Sequence, residues 1–186
     1  MNVYDFDKTI YDGDSTVNFF LYCLKRRPKT LLSLPRTVLF GAGYALGFCP
    51  KLTFKEQFYR FLRFMDDGAE IVERFWDENE KLIKGWYLGQ KRDDDVIISA
   101  SPEFLLEPIC RRLGVTLMAS VVDIRTGNYS GVNCDSSEKV RRLYERFPDA
   151  QVGSFYSDSH IDDPLAAIAG RAYLVRGDEL YDWNDK

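Results

Sequence analysis

A chain of 186 residues with 45% apolar, 15% aromatic and 29% charged side chains can bury a real core as one domain, or as one domain with an insert. That composition excludes a disordered chain, and the length excludes a small disulfide-stapled scaffold. The formal charge of −4 is unevenly laid out: residues 25–65 hold nine Lys/Arg against the single acid Glu56, a net +8 that leaves −12 for the remainder. One surface that meets anions, on an otherwise acidic protein, is the expectation.

The chain opens on Met1-Asn-Val-Tyr-Asp5, which has neither a basic start nor an apolar stretch, so no cleaved signal peptide is expected. Cys23, Cys49, Cys110 and Cys134 lie far apart with no C-x-x-C pair. They read as reduced thiols of a cytoplasmic protein rather than as a zinc ribbon or a disulfide framework. Short β-type runs bounded by turn residues occur at Val3–Phe6, Val96–Ser99, Val115–Asp123, Val152–Ser157 and Arg171–Val175. Helices are expected between them. Ser101-Pro-Glu103 opens one, with Ser101 as N-cap and Gly114 closing it; another runs from about Ser136 to Phe147, ahead of Pro148. Asp123–Tyr129 reads as a small hairpin turning at Gly127-Asn128. Strands alternating with helices predict an α/β fold: a doubly wound, Rossmann-like parallel sheet that binds ligands at the carboxyl ends of its strands.

Some 80 residues between the first and second strands carry no strand signal. Phe54, Phe58, Phe61 and Leu62, and less regularly Ile71, Phe75 and Leu82, recur at helical spacing, so this segment is expected to be an inserted helical cap. The division predicted is a catalytic core of residues 1–13 and 86–186 with a cap at 14–85. The uninterrupted apolar run Thr37–Cys49 has 13 residues, about 20 Å as a helix, too short for a hydrocarbon layer of ~30 Å. Two readings stay open for it: helices packed together inside the cap, or a helix lying on a membrane surface with help from the flanking cations. Nucleic-acid binding is not expected, because the aromatics of the basic stretch fall at core spacing rather than interleaving with the cations.

The chemistry-bearing residues sit at element ends. Asp5-Phe-Asp7-Lys-Thr9 follows the first strand, Ser99 ends the second, Lys139 lies in the first turn of a helix, and Tyr156-Ser-Asp158-Ser-His-Ile-Asp162 ends a further strand with two acids four apart. Singly, each has an ordinary explanation: a turn, a helix cap, a solvated lysine, a capped loop. Their joint order resembles the four motifs of the haloacid dehalogenase superfamily of phosphohydrolases, D-x-D-x-T, a strand-terminal Ser, a Lys and D-x-x-x-D. The likeness is greatest to its subfamily IB, the branch containing phosphoserine phosphatase and the bacterial phosphatidylglycerophosphate phosphatase, which has a helical cap just after the first motif. Ser99-Ala-Ser-Pro-Glu103 and Gly131-Val-Asn-Cys134 are similar to that branch as well, whereas Ser136 stands where it often has glycine.

The resemblance implies, and phosphoryl transfer requires, an in-line nucleophile and an offset for charge on the phosphoryl oxygens. Asp5 is expected to be the nucleophile, forming an aspartyl-phosphate, and Asp7 the general acid and then base. Ser99 and Lys139 are expected to bind the phosphate, and Thr9 to brace the loop. Mg²⁺ is the expected cofactor, held at Asp5, Asp7 and Asp158 with Asp162 in support. Asp14 has two readings, a substrate contact or the N-cap of the first cap helix. His160, the single histidine, is expected to be a solvent-facing bystander, and Ser101 a helix cap rather than a phosphate ligand. The predicted activity is a phosphomonoester phosphatase acting on a phosphorylated lipid or other anionic phosphate ester. The alternatives are a soluble-metabolite phosphatase of the phosphoserine kind, or a module that only binds membrane surfaces. Peripheral membrane contact through the cap is part of the leading expectation.

Overall fold

A computed structural model describes residues 1–65 and 67–185. The strands are β1 (Val3–Tyr4), β2 (Val96–Pro102), β3 (Thr116–Ser120), β4 (Ser154–Ser157), β5 (Arg171–Arg176) and β6 (Glu179–Asp182). They form one sheet in the order β3-β2-β1-β4-β5-β6, parallel except for the antiparallel β5–β6 pair. The helices are α1 (Ser15–Arg26), α2 (Leu34–Ala45), α3 (Lys51–Tyr59), α4 (Gly68–Asn79), α5 (Gly85–Gln90), α6 (Glu103–Leu113), α7 (Ser137–Arg146) and α8 (Asp163–Ala166), with short 3₁₀ turns between some of them. The α/β expectation is met.

Strand pleating explains the layers. Val3, Val96, Ile98, Phe155 and Leu174 point to one face and pack with Leu143 of α7 and Leu165 of α8. Tyr4, Ile97 and Tyr156 point to the other, against a cluster that runs from Leu105 and Ile109 of α6 out to Phe19, Phe75 and Trp76 of the insert. Parallel strands buried on both faces read as the near-continuous apolar runs seen in the sequence. β6 was not foreseen: three of its four residues are exposed, so no apolar alternation marks it.

Three expectations shift on inspection. Val115–Asp123 contains a strand only to Ser120, and the hairpin beyond closes earlier than Gly127-Asn128, because the Asp123 carboxylate accepts from the Arg125 and Thr126 amides and folds the turn around itself. Gly127 is still required: at φ +75° a Cβ there would lie 2.5 Å from the Tyr59 carbonyl oxygen, where this core hairpin closes on the insert. The helix foreseen at Ser101 starts at Glu103 instead; β2 runs on through Pro102, and Ser101 does not cap the helix.

The insert divides into an inner and an outer part. Phe19, Phe75 and Trp76 are wholly buried, Trp76 meets Phe6 and Tyr11 edge-on, and its indole N–H donates to the Leu105 carbonyl at 2.6 Å. The inner insert therefore shares the core of the sheet. In contrast, α2 contains no buried residue.

Candidate active site

The site gathers where β1, β2 and β4 end, at the position where strand order reverses on either side of β1. Asp5 follows β1 directly, its amide still donating to Tyr156 O at 2.9 Å as in the strand pairing. Lys139 lies in the first turn of α7, where the helix dipole disfavours a cation, and it is 2% exposed. What holds it there is two carboxylates: its Nζ donates to Asp5 Oδ1 at 2.6 Å and to Asp162 Oδ2 at 2.7 Å. Ser157, at the end of β4, donates to the same Asp162 oxygen at 2.8 Å. The Thr9 hydroxyl accepts the Asp158 amide at 2.9 Å, which ties the loop after β1 to the loop after β4.

Asp7 is fixed from the other side. Its Oδ1 accepts from the Ser15 amide in the first turn of α1 at 2.6 Å, and its Oδ2 accepts from the Ser101 hydroxyl. Ser101 is thus the residue whose role the sequence misassigned: the serine expected to cap a helix instead sends its hydroxyl to Asp7. Its amide in turn donates to Ser99 Oγ at 3.1 Å, so the Ser-x-Ser spacing links two site residues. Asp14 caps α1, accepting from the Val17 amide at 3.0 Å, and also lines a cavity over Asp7. His160 is exposed, pairs with Asp163 and lies edge-on to Trp183.

Burial and crowding set the charges. Burial pushes Asp5 up to about 7 against the pull of Lys139, with Asp162 adding repulsion. Burial likewise pushes Asp7 up to about 6, with Asp14 repelling and the Ser101 and Ser15 hydrogen bonds opposing. Asp158 is raised by burial, less the attraction of Lys8. For Lys139, burial acts downward, but Asp5 and Asp162 outweigh it and the ammonium is held above its ordinary range. Asp5 and Asp162 contact the one buried ammonium, and Asp7 and Asp158 lie on the adjoining loops, a surplus of carboxylates that a hard cation would offset. Among the described residues no three acidic, histidine or cysteine side chains converge tightly enough to enclose an ion by themselves.

A cavity of about 260 Å³ opens over Asp7, between Asp14, Val17, Phe58, Lys55 and Ser101. Lys55, on α3 of the insert, was legible in sequence only as one of many cations. Its Nζ reaches across to the Ala100 carbonyl at 2.9 Å and Asn133 Oδ1 at 2.7 Å, leaving one N–H for a ligand. Burial, with repulsion from Lys51, lowers it to about 8. A larger depression of about 1000 Å³ beside His160 and Trp183 is lined by none of Asp5, Asp7, Asp158 or Lys139.

Residues 3–167, which include every one of these site residues, match the family of haloacid dehalogenase-like hydrolases. The chain belongs to that family. Protein CicA of Caulobacter vibrioides is 38% identical over 81 residues, 40% of this chain but only 36% of CicA, so the match spans about a third of that relative. Among solved structures, a protein of unknown function from Bordetella pertussis Tohama I superposes with a TM-score of 0.73 at 21% identity, covering 92% of this chain and 87% of that one. A phosphoserine phosphatase bearing a phospho-aspartyl intermediate analogue gives 0.51 at 16% identity, over 91% and 83%. These structural likenesses establish a shared haloacid dehalogenase-like fold.

Proposed function

We propose that this hydrolase is a Mg²⁺-dependent phosphomonoester phosphatase of subfamily IB that works through an aspartyl-phosphate on Asp5. The observation that carries the reading is the pair of acids two residues apart with opposite environments: Asp5 ion-paired to buried Lys139, and Asp7 hydrogen-bonded to Ser101 and the α1 terminus. Asp5 is the nucleophile; its neighbour Lys139 favours its ionised form against the effect of burial and offsets charge on the incoming phosphoryl group. Asp7, pushed up to about 6, holds a proton for the leaving oxygen and afterwards takes one from the attacking water. Ser99 and nearby backbone amides bind phosphoryl oxygens. Asp5, the Asp7 carbonyl and Asp158 would hold Mg²⁺, which would supply charge neutralisation for the phosphoryl group. Asp162 acts as a positioning residue, since its Oδ2 is taken up by Lys139 and Ser157.

The ester we propose is a phosphorylated lipid or related compound with a second anionic group, presented at a membrane. Lys55 offers that group a cation, while Val17 and Phe58 offer an apolar wall. A soluble amino-acid phosphate is the second reading, favoured by Asp14 and Lys55 as partners for an ammonium and a carboxylate across one small cavity.

The deciding experiment is turnover and phosphoprotein trapping with p-nitrophenyl phosphate. Wild-type protein with Mg²⁺ should yield an acid-stable, hydroxylamine-labile phosphoprotein, and excess chelator should abolish turnover. Asp5→Asn should yield neither product nor phosphoprotein while keeping the fold by circular dichroism. Wild-type turnover in Asp5→Asn would overturn the assignment.

A further inference from the structure

The insert exposes an apolar stripe that a helix packed within a protein would bury. At ~100° per residue, Pro35, Val38, Leu39, Ala42 and Ala45 of α2, with Leu46 just beyond it, fall within an arc of about 120°. Val38 is 67% exposed and Leu39 and Leu46 each 69%; Phe48 in the following turn is 85% exposed, and Leu31 and Leu32 in the preceding turn are exposed as well. The opposite face of α2 is already engaged: Tyr44 stacks on Phe54 of α3 at 5.6 Å, and Gly41 lets the Phe54 ring approach to where a Cβ would lie 3.2 Å from it. The stripe is left outward by that arrangement.

Charge around the stripe has one sign. From Lys25 to Lys55 the sequence contains no Asp or Glu. Arg26, Arg27 and Lys51 pair with acids elsewhere, but among the described residues no carboxylate lies within ion-pair distance of Lys29, Arg36, Arg60 or Arg63. Partial desolvation, with repulsion from the nearby Arg36 and Arg63, lowers Arg60 from its ordinary value, and Glu56 opposes the shift. Guanidinium groups that outnumber their one nearby carboxylate, Glu56, suit phosphate-bearing headgroups.

We propose that the outward face of α2 and the turn through Phe48 dock on an anionic lipid leaflet, the apolar stripe entering the headgroup boundary while Lys29, Arg36, Arg60 and Arg63 meet lipid phosphates. Charge complementarity selects this occupant over a second copy of the chain, because a two-fold contact through α2 would set these cations against themselves. Tyr44, on the inward face of α2, lies against Phe54, which also lines the cavity over Asp7 next to Lys55. This surface deepens the reading of the site as a phosphatase of membrane-presented esters, yet its own chemistry requires no turnover.

The test is flotation of the full chain with phosphatidylglycerol vesicles and with phosphatidylcholine vesicles, with hydrolysis of soluble p-nitrophenyl phosphate measured in parallel. Co-flotation with phosphatidylglycerol at low salt, release at high salt and little recruitment by phosphatidylcholine are expected. Leu39→Asp with Phe48→Asp, and separately Lys29→Glu with Arg36→Glu, should each lower the bound fraction by roughly tenfold or more and leave soluble hydrolysis unchanged. Protein that stays at the bottom with phosphatidylglycerol at low salt overturns the docking surface while leaving the phosphatase standing. Flotation without hydrolysis would do the reverse. A dimer in size-exclusion that Leu39→Asp dissolves, with no vesicle binding, would assign the stripe to self-association and also overturn the proposal.

Discussion

The inner and outer parts of the insert come from one continuous stretch of sequence, and the outer helix α2 is more apolar than α1 or α4, yet it is the less buried. α1 and α4 send Phe19, Phe75 and Trp76 into the cluster beneath the sheet, so they are as much core as the strands are. α2 buries nothing and reaches the rest of the molecule through α3 and short turns. An apolar segment thus does not report by itself whether it holds a fold together or faces outward. Which apolar side chains meet a partner surface decides it, and the cavity over Asp7 lies where the two parts join.

Truncation should separate them most sharply. Trp76→Ala removes a wholly buried indole and a hydrogen bond to Leu105, and should cost about 3–5 kcal/mol, a fall in Tm on the order of 10 °C by calorimetry. Leu39→Ser on the outer stripe should stay within about 0.5 kcal/mol of wild type. Equal losses from the two would dissolve the distinction. At the junction, Lys55→Met should raise KM about tenfold or more for an ester with a second anionic group while changing p-nitrophenyl phosphate kinetics little, since a charged hydrogen bond contributes about 1.5–3 kcal/mol. If both substrates suffer alike, Lys55 only ties α3 to the core.

The acids beneath that junction set a pH dependence. Asp5 and Asp7 have folded values raised to about 7 and about 6, above the 3.8 of an unperturbed carboxyl. Their protonated forms favour the folded state, so that contribution is full below pH 3.8 and is lost as pH rises through 6 to 7. Metal-free protein should therefore lose part of its Tm between pH 5 and pH 8. Mg²⁺ should restore several degrees at pH 8 and fewer at pH 5, read by thermal melts with and without chelator. An identical Mg²⁺ effect at both values would remove the surplus of buried negative charge as the reason for metal binding. The smallest effect concerns the loop before α7. Ser136 has φ +50° and ψ −129°, a region that favours glycine, so Ser136→Gly should gain about 1 kcal/mol in denaturant unfolding without loss of turnover.

That strained serine also shows how the sequence can be read. Its departure from the glycine common in related proteins was visible at once, but only the backbone angles give it a cost. Lys139 was legible as a motif member because its spacing from Ser136 and its place in a helix follow from local pattern. Its two carboxylate partners lie 134 and 23 residues away, and no local pattern reports them. Ser101 shows the limit most clearly. A serine before Pro-Glu has the local chemistry of a helix cap, and it was overruled when β2 continued through Pro102 and carried the hydroxyl to Asp7, 94 residues distant in the chain.

Periodicity, strand-ending acids and the order of the motifs were enough to establish an α/β sheet with a helical insert and to place Asp5, Asp7, Ser99, Lys139 and Asp158 as candidates, because these signals depend on neighbours within a turn or a strand. Tertiary packing alone decided which half of the insert is core, that Ser101 reaches Asp7 while Lys55 reaches Ala100 and Asn133, and that the apolar stripe of α2 faces outward. Each of those outcomes depends on which distant surface a side chain meets, and burial and charge pairing across the fold, rather than local propensity, select that surface.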